Sequence, residues 1–140
     1  MSILYTAEAL STGGGRDGRV ATTSGRVTLD MAVPKELGGS GEGANPEELF
    51  AAGFAACFHS ALQAAARTQK VKITDTSVGS RVHIIPNGDG GFDLAVELEV
   101  VIPDVDAVTA QGLADAAHKI CPYSNATRGN IAVNVLVTDD

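Results

Sequence analysis

The stretch Asn45-Pro46-Glu47-Glu48-Leu49-Phe50-Ala51-Ala52-Gly53-Phe54-Ala55-Ala56-Cys57-Phe58-His59-Ser60 decides how the chain folds. Asn45 can cap a helix, Pro46 fits the first helical position, and Glu47 and Glu48 complement the positive end of the helix dipole. The pattern predicts a helix from there to about Gln69. No charged residue occurs between Leu49 and Ala66, which raises the possibility of a membrane span. The segment is mainly Ala and carries Gly53, His59, Ser60 and Gln63, so a helix enclosed by protein explains it better. A chain of 140 residues encloses a helix on every face only with difficulty. A partner subunit is implied.

Outward from that helix the periodicity changes to two. Upstream, Val27, Leu29, Met31 and Val33 alternate as in a half-buried strand, Tyr5 to Ser11 is strand-like, and Gly13 to Gly18 is a turn. Pro34 to Ala44 reads as a glycine-rich loop. Downstream, Val78 to Ile85 forms a strand, Pro86 to Gly91 a hairpin turn, and Phe92 to Ile102 a second strand with Asp93, Glu97 and Glu99 facing out. Asp104 or Asp106 caps a second helix through about Ile120, ended by Pro122, and Ile131 to Val137 closes the chain as a strand. Strands grouped around two helices without βαβ alternation predict an α+β fold. The length suits a single domain over residues 1–140.

Composition narrows the function. The net charge is −7 with no Lys/Arg cluster, which argues against a nucleic-acid partner. The N-terminal residues have neither a basic nor an apolar leader region, so a reducing cytosol is the expected compartment. Two cysteines, Cys57 and Cys121, are too few for a disulfide scaffold. Cys57 sits in the middle of the long helix, where a small buried hydrophobe is the commonest reading. Cys121 sits at a helix end, in Cys121-Pro122-Tyr123-Ser124-Asn125, beside a polar turn.

Cys57, His59, His118 and Cys121 could together supply a tetrahedral zinc set. Residues 57 and 59 of one helix, however, point about 200° apart, so they could not both reach one ion. No metal is expected. Gly39-Ser40-Gly41-Glu42-Gly43-Ala44 imitates a dinucleotide motif but neither follows a strand nor opens a helix directly. Arg16, in Gly14-Gly15-Arg16-Asp17-Gly18, stands on an adaptable glycine mount, and Arg128 stands in another turn; for each a solvated charge is the commoner reading.

Four segments carry a resemblance: Gly14 to Gly18, Asn45 to Gly53, Ala56-Cys57-Phe58, and Cys121-Pro122-Tyr123-Ser124-Asn125-Ala126-Thr127-Arg128-Gly129-Asn130. In order and spacing they resemble the organic hydroperoxide resistance proteins, the Ohr branch of the Ohr/OsmC family. The resemblance implies an OsmC-like fold, with antiparallel sheets wrapped around two central helices in an intertwined homodimer. It implies a thiol peroxidase for organic hydroperoxides, including those of fatty acids, with no cofactor. Cys57 would be the peroxidatic thiol and Cys121 the resolving one, with Arg16 as catalytic guanidinium and Glu47 as its carboxylate. The reductant would be a dihydrolipoyl group on a lipoylated protein. A lipid-binding or redox-sensing module using the same thiols without turnover is the alternative.

Physical chemistry fits those roles. A buried thiol needs a cation to ionise, Arg stays charged when desolvated, and a buried Arg needs a counterion. Phe50, Phe54 and Phe58 would suit an alkyl tail. Glu47 and Cys57 lie ten residues apart, about 15 Å along one straight helix. Either the helix breaks, with Gly53 the plausible place, or Glu47 serves the partner's site; the second is the favoured expectation. The glycine mount also suggests that the Arg16 loop swings away once the thiolate is consumed.

Overall fold

The computed structural model describes residues 2–139, which divide after Leu49 into two compact units. In the first unit, β1 (Ala9–Thr12), β2 (Arg19–Thr22) and β3 (Thr28–Asp30) form an antiparallel sheet in the order β1-β2-β3. The strand expected from Tyr5 therefore begins later, at Ala9, and all four of its residues are exposed. The four-residue β2 is too short to show a periodic signal in the sequence. Gly18 sits where an added Cβ would lie 2.1 Å from the Thr12 carbonyl oxygen, so only glycine closes the β1–β2 turn. Beyond β3 the chain runs through a 3-10 turn at Lys35–Leu37.

Helix α1 spans Pro46–Gln69, the limits expected from the sequence. Its start is a reciprocal capping arrangement. The Glu48 N–H donates to Asn45 Oδ1 at 2.9 Å, and the Asn45 N–H donates to Glu48 Oε1 at 3.2 Å. The helix is continuous through Gly53.

In the second unit, β4 (Ser77–Pro86) and β5 (Phe92–Val101) form the expected hairpin, with Val82 opposite Val96. The Asp106 side chain accepts from the Thr109 N–H and caps α2 (Ala107–Ile120). A short helix, α3 (Pro122–Thr127), and β6 (Val133–Thr138) complete the unit. The α+β class holds, with one correction to the all-antiparallel expectation: β6 pairs parallel to β5. The reason is topological, because two helices intervene and return the chain in the direction in which it left.

The core of this unit joins one stripe of α1 (Phe54, Phe58, Ala61, Leu62, Ala65, Ala66) to the inner face of β5 and to Leu113 and Ala117 of α2. The length and composition that make α1 resemble a membrane span thus belong in part to a protein core. Its enclosure is incomplete within one chain, since Ala52, Ala56 and Ser60 remain exposed along another stripe.

Candidate active site

In the first unit, Arg16 lies on the 3-10 turn Gly15–Asp17 between β1 and β2. Gly15 adopts φ +68°, a left-handed conformation that other residues rarely take. The turn is tied down, since the Val33 N–H donates to Asp17 Oδ1 at 3.0 Å and the Gly18 N–H to the Gly15 carbonyl at 3.0 Å. Arg16 then makes a two-pronged ion pair with Glu47. Nη1 donates to Oε2 at 2.9 Å and Nη2 to Oε1 at 2.7 Å. The two side chains are 40% and 15% exposed. The guanidinium bonds hold the Glu47 carboxyl below its ordinary pKa, and the same bonds raise that of Arg16. The first pairing expected of these residues is therefore made within one chain.

In the second unit, the two thiols meet. Cys57 projects from α1, half-buried, while Cys121 is fully buried, and both are free. Cys121 occupies an elbow. It ends α2 by donating its N–H to the Ala117 carbonyl at 2.9 Å, and it opens α3 by accepting from the Asn125 N–H at 3.0 Å. Pro122, expected only to stop a helix, also starts one, as its fixed φ and missing N–H allow at a first helical position. Burial pushes the Cys57 thiol up, the Tyr123 backbone N–H pulls it down, and the neighbouring Cys121 side chain raises it again. The net direction is upward. Cys57 also opens on a cavity of about 340 Å³ lined by Ser60, Ala61, Ala64, Ile120 and Pro122. Chemically, a half-exposed thiol beside a sealed one can cycle between dithiol and disulfide.

The phenylalanines separate. Phe54 and Phe58 are completely buried in the core, so in this chain they back the Cys57 helix and present no surface to a substrate. Helical spacing alone could not reveal which stripe faces the core. Phe50 is half-buried and stacks on the Tyr123 ring at 5.7 Å between centroids.

The histidines are spoken for. His59 Nε2 pairs with Thr76 Oγ1 at 2.8 Å, and His118 Nδ1 with the buried Ser124 Oγ at 2.8 Å. Arg128 straps the helix elbow together, Nη1 donating to Asn125 Oδ1 at 2.7 Å and Nη2 to the His118 carbonyl at 2.5 Å. Two residues beside Cys57 were not among the expected site residues, Tyr123, whose backbone acts on the thiol, and Gly53, which faces the Tyr123 ring. Tyr123 acts on Cys57 through its backbone, which no side-chain pattern encodes. The available signal for Gly53 was its position, one helical turn before Cys57 in an otherwise Ala-rich helix.

Fold and side chains thus define an α+β chain with a facing pair of thiols in one unit and a forked Arg–Glu pair in the other. Residues 39–136 match the profile of the OsmC-like protein family. Over 137 residues the chain is 48% identical to the organic hydroperoxide resistance protein of Xanthomonas axonopodis pv. citri, covering 95% of this chain and 94% of that one. The crystal structure of an organic hydroperoxide resistance protein from Elizabethkingia anophelis matches with a TM-score of 0.95 at 47% identity, covering 100% of both chains. Its counterpart from Legionella pneumophila matches with a TM-score of 0.94 at 46% identity, covering 98% of this chain and 99% of the other. The chain belongs to the OsmC-like family, in its organic hydroperoxide resistance branch.

Proposed function

We propose that the protein is a cytoplasmic two-cysteine peroxidase that reduces organic hydroperoxides, including those of fatty acids, to alcohols. The observation that carries this reading is the meeting of Cys57, at the mouth of a cavity, with the sealed thiol of Cys121. The Cys57 thiolate attacks the terminal oxygen of the hydroperoxide. An S–O bond forms, the O–O bond breaks, and the alkoxide takes up a proton and leaves as alcohol. The sulfenic acid on Cys57 is then attacked by the Cys121 sulfur. The S–S bond forms, the S–O bond breaks, and the hydroxyl leaves as water with the Cys121 proton. A dithiol such as a dihydrolipoyl group reduces this disulfide and becomes a disulfide itself.

This chemistry needs a thiolate, and the influences acting on Cys57 in this chain favour the protonated thiol. A cation must be brought to it. Arg16, already aligned by Glu47, is the group proposed, acting within a homodimer on the partner's Cys57. The continuity of α1 supports that arrangement, because ten residues of unbroken helix place Glu47 and Cys57 about 15 Å apart along its axis. The exposed stripe Ala52–Ala56–Ser60 and the exposed side chains of Ile3, Leu4, Tyr5 and Leu10 are apolar or small surface that a second copy would cover.

Treating the reduced protein with one equivalent of cumene hydroperoxide tests the reading. Peptide mass spectrometry should recover a Cys57–Cys121 disulfide, and Cys121→Ser should instead accumulate a dimedone-trappable sulfenic acid on Cys57. Unchanged thiols after exposure would refute it and favour a lipid-binding module.

A further inference from the structure

Phe50, Gly53, Phe54 and Cys57 occupy one stripe of α1, at spacings of three and four residues. Tyr123 lies over that stripe. Its ring stacks on Phe50 at 5.7 Å and 23° and meets Phe54 edge-on at 5.6 Å and 68°. Between the two phenylalanines the ring passes directly across Gly53. An added Cβ there would stand 2.9 Å from Tyr123 Oη, 3.2 Å from Cε2 and 3.4 Å from Cζ. The ring is clasped on two sides, so it cannot simply swing away from such a methyl group. The φ of Gly53 is not in the left-handed range, so the backbone itself does not demand glycine. The space above it does.

The same residue reaches Cys57 through its backbone. Pro122 has no N–H, which makes the Tyr123 N–H the first donor of α3, and that N–H acts on the Cys57 thiol, one helical turn beyond Gly53, favouring its ionised form. We propose that Gly53 is a positioning residue: the gap it leaves lets the Tyr123 ring lie flat on α1, and the seated ring holds the Tyr123 N–H on the Cys57 sulfur. Within this unit Cys121 is the titratable side chain acting on Cys57, from the elbow that carries Tyr123. The consequence for chemistry rests on Cys57 being the reacting thiol. The seat itself is a property of the reduced protein and can be read without any peroxide.

The test is the pH dependence of Cys57 alkylation by iodoacetamide in the full-length reduced protein, with peptide mass spectrometry separating Cys57 from Cys121. Alanine favours a helix interior over glycine, so Gly53→Ala should keep α1 folded, as circular dichroism would verify. Its Cys57 profile should move to higher pH. The rate at neutral pH should fall at least roughly tenfold, the lower end of the scale for losing one hydrogen bond to a charged group. Adding Tyr123→Phe removes the oxygen that the new methyl group meets, and should restore part of the loss. Tyr123→Ala, which keeps the N–H but loses the ring, should shift the profile in the same direction as Gly53→Ala. A Gly53→Ala profile that superimposes on the parent, or a shift that Tyr123→Phe leaves intact, would overturn the proposal. A protein without peroxidase activity but with the expected shifts would instead separate the seat from the proposed function.

Discussion

Arg16 and Glu47 are joined by two short hydrogen bonds, yet the Arg16 side chain is 40% exposed. Solvent screening therefore limits what the pair adds to folding to about 0.2–1 kcal/mol. Its proposed importance lies in aiming a permanent cation. Arg16→Ala should leave the melting temperature nearly unchanged while lowering kcat/KM for cumene hydroperoxide by roughly 10²-fold, the scale of losing one preorganised stabilising group. The pH dependence follows from Glu47, whose pKa is lowered in the folded protein by the Arg16 bonds. Its small stabilising contribution is fully present above the unfolded carboxyl value, about 4.3, and is lost as pH falls through the lower folded value. Denaturation measured across that acid range should lose this increment in the parent and lack it in Glu47→Gln.

At the scale of elements, α1 is the part most strongly specified by local chemistry. Asn45→Ala removes the acceptor for the Glu48 N–H and should cost about 1 kcal/mol in urea unfolding. The same local signals make the start of α1 legible from sequence, and the alternation in β5 does so for its inward face, where Val96, Leu98 and Val100 are buried. Features decided by tertiary pairing were not legible. Nothing in Val133 to Thr138 states that it will lie parallel to β5, because strand direction depends on where α2 and α3 deliver the chain. Pro122 carries two meanings in sequence, because the rule for a helix end and the rule for a helix start use the same residue. At the site, the thiols and the Arg–Glu pair could be named from motif resemblance. That Phe54 and Phe58 lie in the core is not legible, because spacing gives a stripe but not its partner. The Tyr123 N–H belongs to the backbone and leaves no mark in composition.

For the whole molecule, an acidic chain of 140 residues exposes Ile3, Leu4, Tyr5 and Leu10 in one unit and Val108, Ile120 and Leu136 in the other. Light scattering coupled to size exclusion should give the mass of a dimer. If Arg16 of one protomer serves Cys57 of the other, unfolding and refolding the weakened Arg16→Ala and the inactive Cys57→Ser proteins together should raise activity well above that of either alone, because each mixed dimer contains one complete site. Mixing that restores nothing would place Arg16 and Cys57 of the same chain in one site. The most direct test of the central claim is steady-state consumption of cumene hydroperoxide by the purified protein with dihydrolipoamide as reductant. The account predicts many turnovers per protomer, abolished by Cys57→Ser. An inactive parent protein, or a Cys57→Ser protein that still turns over, would contradict it.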